Sequence, residues 1–207
     1  MDKGNLHNKL LNKTGICILY TIVGMLIGMF LIPPALALGS LVFILIAFIA
    51  LMFMRNTKVT MTFCYIISVL MGIGISPSIN YYVGKLGLTL VFIVFIATCL
   101  ISLGLSFIGY RTKKNLSAVE AILFICLIVL IIGGVLNIFL HLKMLQLILT
   151  IAGIIIFSIY IIVDMNMALK EIRSENDIPL AVMNLYLDFI NLLLNILELL
   201  SDTSDDN

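Results

Sequence analysis

Long apolar runs separated by short polar breaks dominate this chain. Seven can be read: residues 15–32, stopped by Pro33-Pro34; 35–54, ended by Arg55; 61–83; 86–110, closed by Arg111-Thr112-Lys113-Lys114; 119–140; 145–165, with Asp164 at its end; and 178–200. Each is near the roughly 20 residues that a helix needs to cross a bilayer. The runs are continuous, whereas strands of a membrane barrel would alternate apolar and polar positions. Lipid offers backbone groups no hydrogen-bond partners, so continuous spans must be helical. The pattern predicts an all-α integral membrane protein, a single transmembrane domain forming a seven-transmembrane-helix bundle. Residues 201–207 form an acidic tail, too short and polar to fold alone.

Composition agrees with this reading and excludes a soluble domain. Hydrophobic residues make up 62% of the chain and charged ones 11%, with a mean hydropathy of +1.23. The few positive charges orient the spans. With the N-terminus cytoplasmic and seven crossings, the inner segments hold Lys3, Lys9, Lys13, Arg55, Lys58, Arg111, Lys113, Lys114, Lys170 and Arg173; only Lys85 and Lys143 fall outside. The C-terminus is then outside. A re-entrant last segment leaves this count unchanged, so the seventh crossing rests on the length of the last run.

Other features change the picture little. Ala35-Leu36-Ala37 has the form of a signal-peptide cleavage site, but the apolar run before it is longer than usual for such a signal. Cys17, Cys64, Cys99 and Cys126 lie in separate spans without C-x-x-C pairing, and read as small buried hydrophobes. His7 and His141 sit at membrane edges. No glycine loop followed by lysine suggests nucleotide binding, and the short basic clusters suggest no nucleic-acid partner. No haem, flavin or other cofactor is expected.

The candidate chemistry is carried by polar residues at membrane depth, where ionisable groups are costly and face a bundle interior or wet cavity. Asp188 lies about ten residues into the last run, roughly 15 Å along the helix. At 100° per residue, Asn184, Asp188, Asn191, Asn195 and Glu198 share an arc of roughly 80°. Leu185, Phe189, Leu193 and Leu200 lie opposite. Such a stripe reads either as pathway lining or as polar glue between helices. Asp164 is the second acid, one turn after Tyr160, at the cytoplasmic end of its run; alone it also reads as an interfacial residue. The two aspartates occupy the cytoplasmic half of consecutive helices and can meet across them. Two carboxylates in a low-dielectric site cannot both ionise cheaply, so a meeting pair is expected to share a proton. Deprotonated, the pair offers the oxygen ligands that calcium prefers. Arg55 is a potential cationic partner, with a positive-inside anchor as its simpler reading. In Met-Gly-Ile-Gly-Ile-Ser-Pro-Ser, Pro77 removes a backbone donor after two glycines. The predicted consequence is an interrupted third span, either kinked or broken so that its carbonyls line a cation path.

These residues resemble a known family. FSIYIIVDMN and IPLAVMNLYLDFINLLLN, with GISPSINYY and TKKNLS upstream, are similar to the Bax-inhibitor (transmembrane Bax inhibitor motif) family, in particular its bacterial calcium-leak member. LYLDFINL, with an aspartate 24 positions before its own, is the most specific part. The resemblance implies seven helices with the last one central, and a pH-sensitive cation leak. It also implies that Asp164 and Asp188 form the di-aspartyl sensor and that Arg55 interacts with them. One departure stands out: Ile44 occupies a position where the bacterial relative has a glutamate, so selectivity or conduction is expected to differ.

The leading expectation is a calcium-permeable leak channel gated by protonation of Asp164 and Asp188, in a bacterial inner membrane, with calcium and protons as its ionic partners. A proton-coupled cation exchanger is a variant of it. A second class is a non-transporting regulator of another membrane protein, such as a quality-control protease. A third, an intramembrane aspartyl protease, is disfavoured: Val163 and Leu187 precede the aspartates, where such proteases show Y-D and G-x-G-D motifs. The protein is therefore not expected to be an enzyme.

Overall fold

The computed structural model describes residues 3–34, 36–37, 39–40, 44, 47 and 57–203. Long helices account for nearly all of these: α1 (Lys3–Leu31), α2 (Thr57–Leu86), α3 (Leu88–Arg111), α4 (Ser117–Leu140), α5 (Lys143–Glu171) and α6 (Ile178–Thr203). A short 3-10 turn, Glu175–Asp177, precedes α6. All six helices are long and apolar enough to cross a membrane. They account for six of the seven predicted spans; the other, at 35–54, falls largely outside the described residues. Phe92 on α3 and Phe139 on α4 are 61% and 77% exposed, as expected of side chains facing lipid rather than water. In the most apolar window of α6, 56% of residues are buried, against 11% in α4. Among the described helices the last is the most enclosed.

Two compact units share the chain: Met1–Gly84 with Glu171–Tyr186, and Lys85–Lys170 with Leu187–Asn207. In the first, α1 extends well before the predicted start at residue 15. Leu6, Leu10, Thr14, Cys17 and Thr21 are buried at helical spacing along it, which carries the helix through the lysine-rich N-terminal segment. The backbones of α1 and α2 meet at small residues. A Cβ on Gly24 would lie 2.0 Å from the Val69 carbonyl oxygen, and one on Gly72 2.1 Å from that of Thr21. Such close approach is a common basis of helix association in lipid. Nearby, the Thr21 and Tyr186 hydroxyls share a 2.6 Å hydrogen bond, and Lys9 pairs with Glu175 at 2.5 Å.

Of the two expected forms of interruption in the third span, the break does not occur. Helix α2 runs through Pro77 without a break. Proline strips the carbonyl four residues earlier of its partner, but the Ser76 hydroxyl donates to the Ile73 carbonyl at 2.8 Å. A neighbouring side chain thus supplies the missing donor, one of the ways membrane helices tolerate proline.

In the second unit, α5 also overruns its predicted end. Met165, Asn166, Met167, Ala168 and Leu169 are all buried, and the helix continues to Glu171. Asp164 is therefore a residue of the helix body and not of its terminus. Asn166 explains part of the extension: its amide donates to the Thr112 carbonyl at 2.6 Å and the Gly109 carbonyl at 3.3 Å. These are carbonyls at the end of α3, where intrahelical partners run out. Leu123 of α4 packs with Val163 and Met167 of α5, and Phe157 and Ile161 of α5 pack with Leu192 of α6.

Candidate functional site

Asp188 occupies α6 between side chains that leave it little water. Leu185, Tyr186, Phe189 and Ile190 are all buried, and Asp188 itself is 6% exposed. Its Oδ2 atom has no hydrogen-bond partner among the described residues. An orphaned carboxylate oxygen in such surroundings is costly and calls for a proton, a cation or water. Asp164, half-buried on α5, lies within electrostatic reach of Asp188. Tyr160, one turn earlier on α5, feels both carboxylates and packs its ring against Phe157 at 6.2 Å between centroids. Of the anticipated residues, Asp164 and Tyr160 stand one turn apart on α5, and Tyr160 packs against a cluster that includes Leu192, one turn beyond Asp188 on α6.

A further acid belongs to this neighbourhood. Glu120, exposed in the first turn of α4, acts electrostatically on both Asp164 and Tyr160. Its chain neighbours explain the placement: Val119, Leu123 and Tyr160 pack in one cluster with Val163. The sequence reading passed over it. Ser117-Ala-Val-Glu120 has the form of a helix-start signature, in which the acid complements the helix dipole. Among the described residues no group of three or more His, Cys, Asp or Glu side chains could hold a metal ion. Glu120, Asp164 and Asp188, a series graded from exposed to buried, form no such group.

The polar stripe of α6 divides into parts with different partners. Asn191 donates to the Leu187 carbonyl at 2.9 Å and Asn195 to the Asn191 carbonyl at 2.7 Å, so both spend a donor on their own helix. The Asn195 amide also lies flush on α5: a Cβ on Gly153 would meet its Oδ1 at 2.4 Å. Glu198 accepts from the Gln146 amide at 2.5 Å. Gln146 in turn accepts from Asn137 at 2.6 Å, and Asn137 accepts from the Leu142 backbone at 3.0 Å. Beyond Asp188 the stripe therefore does the work of helix packing as well. Asn184 and Pro77, both partly buried, belong to the other unit. Arg55 lies outside the described residues. Ile44, the departure noted in the second span, is helical and buried. A cavity of about 300 Å³ at the α4–α5 turn is lined by Asn137, Ile138, His141, Leu142, Lys143 and Gln146, none of them an acid of the series.

Six long apolar helices among the described residues, two of them carrying an aspartate in their body, define a helical membrane protein. Residues 5–205 match the family model described as inhibitor of apoptosis-promoting Bax1, and the chain belongs to this Bax-inhibitor family. An uncharacterized protein of Helicobacter pylori (strain J99) is 29% identical over 192 residues, covering 91% of this chain and 82% of the relative. An uncharacterized membrane protein of Streptococcus pyogenes serotype M6 is 28% identical over 152 residues, 70% of this chain and 64% of the relative. A Golgi anti-apoptotic protein of vaccinia virus (strain Lister) is 36% identical over 106 residues, 51% of this chain and 44% of the relative.

Proposed function

We propose that this chain is a pH-sensitive, calcium-permeable leak channel of the bacterial inner membrane, gated by protonation of Asp164 and Asp188. The observation that carries the reading is the Asp188 carboxylate, buried with one oxygen unpartnered among the described residues and with a second acid in electrostatic reach. Two neighbouring carboxylates in a poorly solvated site favour a shared proton over two charges. Loss of that proton leaves anionic oxygens for which a hard cation competes. Arg55 is assigned the role of the competing positive charge. Calcium is cargo here, and no resident cofactor or catalytic role is assigned.

Bacterial relatives support the location. The surplus of Lys and Arg in the segments assigned to the cytoplasm supports an N-terminus inside, and the length of the last apolar run supports a seventh crossing that leaves the C-terminus outside. Calcium flux into liposomes carrying the purified chain, measured against pH, tests the function. Flux that changes with pH in wild type and loses that change in Asp164→Asn and Asp188→Asn supports the reading. An unaltered pH profile in both variants contradicts it.

A second reading is a non-transporting regulator bound to another membrane protein. It is favoured by the asparagines of α6, which hydrogen-bond to their own helix and pack on α5, and by the anti-apoptotic name of the vaccinia relative. Absence of flux together with a stable membrane-protein partner would select it. A proton-coupled exchanger differs from a leak only in coupling, and flux with and without an imposed proton gradient separates the two.

A further inference from the structure

Contacts between α5 and α6 fix which of their residues face one another. Gln146 donates to Glu198 at 2.5 Å, and Gly153 lies against the Asn195 amide, whose Oδ1 a Cβ there would meet at 2.4 Å. Thr150 falls between these two anchor points, one turn from each, and so stands on the same face of α5. It is 1% exposed, and its Oγ1 has no hydrogen-bond partner among the described residues. A bare hydroxyl is thus enclosed in the α5–α6 seam, close to the Glu198 carboxylate.

We propose that Thr150, Asn195 and Glu198 form a second site, one that binds a hard divalent cation at the end of α6 assigned to the outer face. The proposal rests on the reading of the chain as a calcium leak, and this site is a station of that path. Glu198 lies ten residues beyond Asp188, about 15 Å along the helix. All three side chains offer oxygen, the donor that calcium prefers. Glu198 supplies the negative charge. The Asn195 nitrogen is spent on the Asn191 carbonyl at 2.7 Å, which leaves its Oδ1 as an acceptor against α5. Thr150 contributes the lone pairs that no described donor occupies. One carboxylate with two neutral oxygens makes a weak site, from which an ion can leave again, as conduction requires.

The surroundings fit this role. The cavity of about 300 Å³ at the α4–α5 turn is lined by Asn137 and Gln146. These two continue into Glu198 as one hydrogen-bonded row, so Gln146 borders the cavity and holds the carboxylate. Asp202, one turn after Glu198 on α6, adds negative charge. His141 and Lys143 also line the cavity; Lys143 is exposed, where water and salt screen its charge. Polar packing between helices explains the Gln146–Glu198 bond equally well. It does not explain Thr150, because a buried hydroxyl left bare costs stability that an apolar side chain would save.

The test uses the full chain in detergent, melted over a series of calcium concentrations. It is run in an Asp188→Asn background, which takes the inner aspartate pair out of the response. A ligand that binds only the folded state raises the melting temperature by mass action, and calcium is expected to raise it here. Adding Glu198→Gln should demand roughly tenfold more calcium for the same rise, since affinity follows the charge of the ligands. Adding Thr150→Val, which nearly keeps the shape and removes the oxygen, should weaken the response in the same direction. No calcium-dependent rise in the background chain, or an unchanged calcium dependence in both added variants, overturns the proposal. If Glu198→Gln does not fold, Thr150→Val decides alone. If wild-type liposomes pass no calcium, the channel reading fails, and the melts still decide whether the site binds calcium.

Discussion

An aspartate near the middle of a membrane helix costs about 2.5–3.5 kcal/mol by insertion measurements, and Asp188 has one oxygen without a partner among the described residues. A residue kept only for packing would be replaced to advantage by something apolar or amide-bearing. Asp188→Asn is therefore expected to unfold at the same temperature as wild type or higher in a detergent melt, while flux loses its pH dependence. Lower stability in this variant would assign Asp188 to structure instead. Gly153 makes the opposite case. Gly153→Ala places a methyl 2.4 Å from the present position of the Asn195 oxygen and should cost about 1–3 kcal/mol by overpacking. Asn195→Ala in the same chain should recover much of the loss, which the double-mutant melt would show as coupling. At this scale the helical period placed Asn184, Asp188, Asn191, Asn195 and Glu198 on one face from sequence alone. It could not reveal that Asn195 rests on a glycine of another helix, or that Val119, beside Glu120, packs on the cluster that holds Val163, beside Asp164. Those are tertiary contacts, and no periodicity encodes them.

Helix boundaries show where local pattern misleads. The apolar run before Asp164 ends at that charge, so a span ending there is the natural reading. Yet α5 continues to Glu171, because Asn166 finds carbonyl partners at the end of α3 and the residues around it are buried. Pro77 is the reverse case, a strong breaker signal neutralised by the adjacent Ser76 hydroxyl. Two outcomes follow for α2. Pro77→Ala should leave calcium flux unchanged, since the helix is already continuous; altered flux would revive the broken-helix reading. Ser76→Ala should destabilise by about 1 kcal/mol, the cost of a partly buried carbonyl left bare, readable as a lower melting temperature. Pro77→Ala in the same chain should relieve that cost.

For the whole molecule, the number and length of the apolar runs made the helical membrane class legible before any contact was known. Six runs reappear as helices, and the family match extends from residue 5 to residue 205. Orientation belongs to the membrane and is argued here from lysine and arginine placement. Labelling of intact cells should find a tag at the C-terminus accessible from outside and one at the N-terminus protected. Both termini on one side would instead mean an even number of crossings, with the last segment re-entrant. The central claim is that protonation of Asp164 and Asp188 controls calcium passage. It is tested most directly by calcium flux against pH in liposomes holding wild type, Asp164→Asn or Asp188→Asn at equal protein content. The account predicts a pH-dependent flux in wild type and a flat profile in both variants; a variant profile that follows wild type across the pH range would contradict it.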